Sequence, residues 1–315
     1  MTYFCVTIDT ECDMPNWKPK LQYSVKNTEA LPKLHALFSK YEIQPTYLIT
    51  YPVATETLSK DILTSLYENG DCEIGTHFHP WTTPPINIQE IKNATFPFQL
   101  EYNSHLIKLQ NLTDAIRKSF RVKPKSYRAG RFGLDLNGLK IIESLGYEID
   151  TSVTPLTNWG SDFRNASVQP YYLDYNDLSK NGNSKILEVP VSIDVNIPNS
   201  LRKIYALSSE KFKAVLKPIG LKRLWLRPSL SSSTEMIKLS NLLISNNVPV
   251  LNMMFHSNEL TTFSSPFNKT QQQLDNYFNK LEEYFKFIKS NEIESITLNK
   301  YKNEYDKGIA SEIIK

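Results

Sequence analysis

Tyr3-Phe4-Cys5-Val6-Thr7-Ile8 is an apolar run of β-forming residues, and it stops abruptly in Asp9-Thr10-Glu11-Cys12-Asp13. The run reads as a strand. The three carboxylates that end it alternate in sequence, so in extended backbone they share one face. Parallel α/β enzymes carry their chemistry where strands end, so this juncture is the first place to look for a site.

Working outward, strands and helices alternate. The helical spacing over Thr28–Lys40 is followed by a strand at Pro45–Thr50 and a helix at Thr57–Tyr67 that meets Asn69-Gly70. A strand at Cys72–Thr76 comes next, helices are expected within Asn87–Phe120, and Ser126–Arg128, Tyr147–Asp150 and Lys185–Val189 read as strands. A helix at Leu136–Leu145 separates the first two of these. Residues 155–184, rich in Asn, Asp and Tyr, read as a loop excursion. The closing rounds are a helix near Glu210–Leu216, a strand at Arg223–Leu226, a helix at Thr234–Ser245 and a strand at Pro249–Phe255, then a helix at Gln271–Ser290 and a strand at Glu294–Leu298. This alternation predicts a parallel sheet, either a barrel or a doubly wound fold. The chain holds no Gly-x-Gly-x-x-Gly after its first strand and no Gly-Lys-Ser/Thr phosphate loop, which disfavours nucleotide-binding α/β folds.

Composition narrows the function. Among 315 residues, 36 Lys+Arg nearly balance 33 Asp+Glu, so the basic footprint of a nucleic-acid binder is missing. Three cysteines, Cys5, Cys12 and Cys72, make neither a disulfide framework nor a four-cysteine zinc site. The N-terminus has no basic n-region and no apolar run reaches the ~18–20 residues of a membrane helix. The expectation is a cytoplasmic protein in a reducing compartment, without a membrane span. Glycine is scarce, at 10 residues, and half of them lie in or just before the motifs below.

Each later strand end carries reactive side chains. His77 and His79, in Gly75-Thr76-His77-Phe78-His79-Pro80-Trp81, stand at i and i+2 and share a face of extended chain. Two imidazoles and a carboxylate with one position open for water form the donor set of a catalytic divalent metal, zinc above all. Arg128, in Arg128-Ala129-Gly130-Arg131, can hold a carboxylate ionised, and the glycines beside it admit backbone N–H groups near an oxyanion. Ser152 follows the next strand, and His256 directly follows the apolar Met253-Met254-Phe255, where it could act as general acid or base.

Taken in order, Asp-Thr-Glu (9–11), His-Phe-His-Pro (77–80), Arg-Ala-Gly (128–130), Asp-Thr-Ser-Val-Thr-Pro (150–155) and Phe-His-Ser (255–257) resemble the five motifs of the polysaccharide deacetylase, or NodB-homology, superfamily (carbohydrate esterase family 4). The branch most similar is the WalW-like one, found with surface-polysaccharide gene sets. The resemblance implies a single-domain irregular (β/α)7 barrel over residues 1–300, with residues 301–315 as a charged tail. It also implies a divalent metal, usually zinc, and hydrolysis of an N-acetyl group on a saccharide substrate in surface-polysaccharide biosynthesis. Asp9 would then be the general base, Arg128 its orienting partner, His77 and His79 metal ligands and His256 the general acid. Gly130, Arg131, Trp81 and Ser152 would be the oxyanion or substrate contacts.

Two departures stand out. Where the superfamily has two adjacent aspartates, the second a ligand, this chain has Thr10, so Glu11 is expected as the ligand; the alternative is Asp9 as ligand and Glu11 as base. The histidines are spaced i, i+2 where the superfamily has i, i+4. Two further readings of function stay open: an amidohydrolase or deformylase acting on a non-polysaccharide amide, and a catalytically degenerate barrel that binds saccharide or serves as a scaffold. Oligomeric state is not legible in the sequence.

Overall fold

The computed structural model describes residues 1–19, 23–86 and 94–313. Of the stretch Asn87–Phe120 where helices are expected, residues 87–93 lie outside the described residues. Strand β1 (Tyr3–Thr10) has its even side chains, Phe4, Val6 and Ile8, in the main core against helices. Its odd ones turn into a barrel: Cys5 joins a second apolar cluster, Thr7 donates to the Met253 carbonyl, and Asp9 lies above them. This period of two is what puts a carboxylate on the barrel axis.

The chain continues through α1 (Leu31–Lys40), β2 (Pro45–Ile49), α2 (Tyr51–Thr55), α3 (Thr57–Glu68), β3 (Glu73–Phe78), α4 (Tyr102–Phe120), β4 (Ser126–Ala129), α5 (Leu136–Ser144) and β5 (Ile149–Asp150). After the excursion come β6 (Tyr171–Tyr172), β7 (Leu187–Glu188), β8 (Ile193–Val195), α6 (Asn199–Leu207), α7 (Glu210–Leu216), β9 (Arg223–Trp225), α8 (Ser233–Ser245), β10 (Val250–His256), α9 (Gln271–Ser290) and α10 (Leu298–Ile313). The main sheet runs β10-β1-β2-β3-β4-β5-β7-β6. Every neighbouring pair is parallel except the edge strand β6, which runs antiparallel to β7. Seven parallel strands thus curl into the expected irregular barrel. Its seam, between β7 and β10, is spanned by single bonds in place of a ladder. Ser192 N donates to Asn252 O (3.0 Å), Leu226 N to Ser192 O (2.9 Å) and Met254 N to Leu226 O (3.1 Å). The buried Asn252 amide adds bonds to Val189 O (2.9 Å) and Thr151 Oγ1 (2.8 Å).

Four expectations are corrected. The strand at 223–226 is no rung of the barrel, because β9 pairs antiparallel with β8 in a separate two-stranded sheet. The strands at 147–150 and 185–189 shrink to two residues each, β5 and β7. The strand at 294–298 reduces to one bridge, Ser295 to Phe4. The charged stretch after residue 300 does not trail free: it continues as α10, whose Leu298 and Tyr301 pack with Cys5, Ile149, Leu187 and Val250 to plug the barrel.

Candidate metal centre and catalytic site

The β1 and β3 ends bring the predicted ligands together. Glu11, His77 and His79, all buried, offer three donor atoms within 4.8 Å of one another. Glu11 Oε2 lies 3.0 Å from His79 Nε2 and 3.9 Å from His77 Nε2. The i, i+2 spacing works because His77 ends the strand pointing inward and His79, two residues on, points the same way; the rings meet edge to face at 4.5 Å. His77 Nδ1 sits 3.1 Å from the Arg128 carbonyl oxygen, which can only accept, so the proton is on Nδ1 and the Nε2 lone pair faces the cluster. Burial depresses the His77 pKa to about 4, which keeps the ring neutral and able to ligate. Glu11 Oε1 accepts from Asn258 Nδ2 (3.1 Å), and the Glu11 N–H donates to Ser257 Oγ (3.1 Å). Burial works to raise its pKa, but the His79 bond and the nearby imidazoles bring it below the ordinary value. Two imidazoles and one carboxylate converging on a buried point are a donor set that suits a divalent ion, zinc in particular.

Asp9 stands beside this cluster. Its Oδ1 accepts from Arg128 Nη1 at 2.6 Å, and its Oδ2 lies 3.7 Å from both His77 Nε2 and His256 Nε2. Burial alone would push this carboxyl up; the Arg128 guanidinium, wholly buried, holds it far below the usual carboxylate range. Arg128 is itself fixed by Thr151 O, Thr151 Oγ1 and Thr7 Oγ1.

His256, at the end of β10, belongs to a group the sequence reading did not assemble. Its Nδ1 donates to Glu259 Oε1 (2.8 Å), which also accepts from Arg227 Nη2 (2.8 Å), while Tyr277 OH donates to Glu259 Oε2 (2.9 Å). Burial raises the Glu259 pKa, but Arg227 and His256 pull it to about 2. Glu259 follows His256 at i+3 across a 3-10 turn, a spacing visible in the sequence. Arg227 lies just past β9, whose antiparallel placement hid it.

These groups share one cavity of about 440 Å³. Arg131 lines it together with the aromatic rings of Trp17, Phe96, Phe132, Trp159 and Phe267. Trp17 packs on the His256 ring at 4.8 Å. Of the excursion's aromatics only Trp159 reaches the cavity; the hydroxyls of Tyr171, Tyr172 and Tyr175 bond to Leu178, Asp306 and Glu143.

Two residues expected at the substrate, Ser152 and Trp81, are placed differently, and Gly130 is packed against His79. Ser152 is fully buried, accepting from Ala129 N (2.8 Å) and donating to Asp150 Oδ1 (2.7 Å), so its hydroxyl ties two strand ends together. Trp81 is buried against the His79 ring at 4.2 Å with Arg131 across its face, and supports that ring from behind. Gly130 is a close approach: a Cβ there would lie 2.3 Å from His79 Nδ1 and 2.5 Å from Phe78 O. The loop after His79 is held from below by the buried Lys108, whose ammonium donates to the carbonyls of Pro80 (3.3 Å), Thr83 (3.0 Å) and Pro85. Cys12 is buried and does not line the cavity. Among the described residues, no helix is long and apolar enough to cross a membrane.

No protein-family model matches the sequence, and no curated protein matches it. Solved structures do match. A candidate polysaccharide deacetylase from Mycobacterium smegmatis superposes with TM-score 0.56 at 12% identity, over 98% of this chain and 92% of that one. A candidate glycoside hydrolase/deacetylase from Parabacteroides distasonis gives TM-score 0.67 at 10% identity, over 98% and 71%. A 4-alpha-glucanotransferase from Thermococcus litoralis gives 0.57 at 16% identity, over 96% of this chain and 40% of that one. The chain therefore has the barrel fold of the polysaccharide deacetylases, a fold that is shared with a glucanotransferase. Function has to be argued from the site.

Proposed function

We propose that this protein is a metal-dependent hydrolase that removes the acetyl group from an N-acetylated sugar or saccharide precursor of surface polysaccharide. One observation carries the reading: Glu11, His77 and His79 converge on one side of a cavity, with the Asp9–Arg128 and His256–Glu259 pairs beside them. The histidine pair separates this arrangement from carboxylate-only glycoside chemistry, in which two acids act across a sugar bond.

Glu11, His77 and His79 would hold the ion, zinc being the expected one. When bound, it supplies Lewis acidity, polarising the acyl oxygen and acidifying water at the site. The residues do the rest. Asp9 keeps Oδ1 on Arg128 and leaves Oδ2 to take the proton of the attacking water. The bond to Arg128 weakens Asp9 as a base but keeps it ionised at every working pH. His256 has its Nδ1–H committed to Glu259, which aims Nε2 into the cavity; as the imidazolium, carrying a second proton on Nε2, it protonates the departing amine as the amide C–N bond breaks. Acetate and the free amino sugar leave. The aromatic walls formed by Trp17, Phe132 and Trp159 suit the apolar faces of a sugar ring, and Arg131 its polar edge.

The test is metal analysis of purified protein together with acetate release from N-acetylated sugars. One divalent ion per chain and loss of acetate release in His77→Ala are expected. Absence of metal binding, or a His77→Ala protein with unchanged activity, ends the proposal.

A further inference from the structure

Helices α6 and α7 form an insertion between β8 and β9 whose polarity is turned inside out. On α6, Tyr205 and Ala206 face the protein, while Leu201, Ile204 and Leu207 form a stripe on the opposite face, 49%, 64% and 47% exposed. On α7 the inversion is sharper. Lys213 is buried, its ammonium donating to Ala206 O (3.1 Å), whereas Phe212 and Val215 are 52% and 73% exposed. A helix that meets water on its outer face carries its polar residues there. Five large apolar side chains pointing outward on two adjoining helices make a patch of the kind that marks an interaction surface.

Charge says what covers it. Residues 199–223 hold seven Lys and Arg against one acid, Glu210, in a chain whose net charge is only +3. Of these seven, Arg202 pairs with Asp194 (3.1 Å), Lys222 pairs with Glu235 and Lys213 is buried, so the charge the insertion presents outward is carried by three lysines. Lys203, Lys211 and Lys217 are exposed, interleaved with the apolar stripe. An apolar face edged by lysines fits the boundary between anionic headgroups and acyl chains. The turn between the helices opens toward the site: Leu207, Ser208 and Ser209 border a groove that shares Trp159 with the catalytic cavity.

We propose that α6 and α7 dock this protein on an anionic lipid surface. Resting on the deacetylase reading, this makes a saccharide presented at that surface the class of substrate, because docking brings the Trp159 side of the cavity close to the headgroup plane. The docking itself is read without substrate. The experiment is flotation of the full chain with vesicles of phosphatidylcholine alone and of an equal mixture of phosphatidylcholine and phosphatidylglycerol. Binding to the anionic vesicles only, weakened by salt, is expected. Each exposed lysine near such a surface strengthens partitioning by about fivefold, so Lys203→Glu, Lys211→Glu and Lys217→Glu together weaken binding by at least roughly a hundredfold. The exposed-site pair Ile204→Asp and Val215→Asp removes flotation without disturbing the fold, checked by an unchanged melting temperature. Failure to float with anionic vesicles overturns the proposal, as does binding that survives the pair. So does light scattering that shows a dimer which Ile204→Asp with Val215→Asp dissolves, since the patch then serves a second copy. Metal binding and acetate release from a soluble N-acetylated sugar report the catalytic reading separately, so either can fail alone.

Discussion

Replacing Gly130 by alanine tests whether the i, i+2 histidine pair is held in a shape made for a metal. The new Cβ would fall 2.3 Å from His79 Nδ1, 2.7 Å from His79 Cε1 and 2.5 Å from the Phe78 carbonyl oxygen. Ordinary contact begins at 3.4 Å, so the imidazole has to retreat by about 1.1 Å. It has nowhere to go without cost, because Trp81 lies behind it at 4.2 Å and the backbone oxygen does not yield. Overpacking of this kind destabilises by about 1–3 kcal/mol. Metal–ligand distances tolerate only about 0.2 Å, so a 1.1 Å shift detaches His79 from any shared ion. We expect Gly130→Ala to lower zinc affinity by at least about 100-fold, read by competition against a chromophoric chelator, with a melting temperature lower by several degrees. Gly308 is the internal control: a Cβ there meets nothing within 4 Å, and α10 gains helix propensity from alanine, so Gly308→Ala leaves zinc affinity alone and stabilises by up to about 1 kcal/mol. A Gly130→Ala protein that binds zinc as tightly as the parent would refute the assignment of His79 as a ligand.

Other consequences are as direct. Lys108→Met removes the buried ammonium from the Pro80, Thr83 and Pro85 carbonyls and should cost about 3 kcal/mol in denaturant titration, because acceptors are left unpaired in the interior. Glu259→Gln leaves Arg227 without its buried counter-charge; a loss of about 3–5 kcal/mol is expected, with zinc affinity unchanged since Glu259 touches none of the ligands. His105, stacked on Phe78 at 5.0 Å, has its pKa lowered by burial to about 4 from an ordinary 6.5. Its unfolded state therefore binds the extra proton first. The neutral ring's contribution is complete above pH 6.5 and is lost as pH falls toward 4, by up to about 3 kcal/mol. His105→Gln should flatten the stability profile across that window relative to the parent, and an unchanged slope would assign the acid sensitivity elsewhere.

How much of this was legible in the sequence follows from which signals are local. The β1 run and its carboxylates, the His pair, Arg128 and His256 all sit where an apolar run stops, and strand alternation is enough to put their side chains inside a barrel. Helix α9 matches its expected span because a capping box, Thr270 with Gln273, fixes its start. The misses are non-local. Nothing near Arg223–Leu226 says that the strand turns antiparallel onto β8, and with that hidden, Arg227 could not be placed beside Glu259. Ser152 reads as exposed because it follows a strand; only the folded chain reveals that Asp150 and Ala129 N take its hydroxyl. The tail reads as solvated from its charges, yet Tyr301 at the inner face of α10 decides its position.

The substitution of Thr10 for an expected ligand resolves on the same geometric footing. Thr10 is the last residue of β1, fully buried, and its hydroxyl donates back to the Ile8 carbonyl at 3.2 Å. Alternation sends its side chain away from the face that Asp9 and Glu11 share. A ligand at position 11 lies one residue farther along the chain, and the extra methylene of glutamate spans the added distance to reach 3.0 Å from His79 Nε2. Shortening that arm by one carbon withdraws the carboxylate by about 1.5 Å, well beyond what a metal tolerates. Glu11→Asp should therefore lower zinc affinity nearly as far as Glu11→Gln does, although it keeps the charge. If Glu11 were the base and Asp9 the ligand, Glu11→Asp would keep zinc affinity and lose only turnover. Zinc titration of the two variants, set beside acetate release, separates the assignments: tight zinc binding by Glu11→Asp would transfer the ligand role to Asp9, whose Oδ2 is 3.7 Å from His77 Nε2.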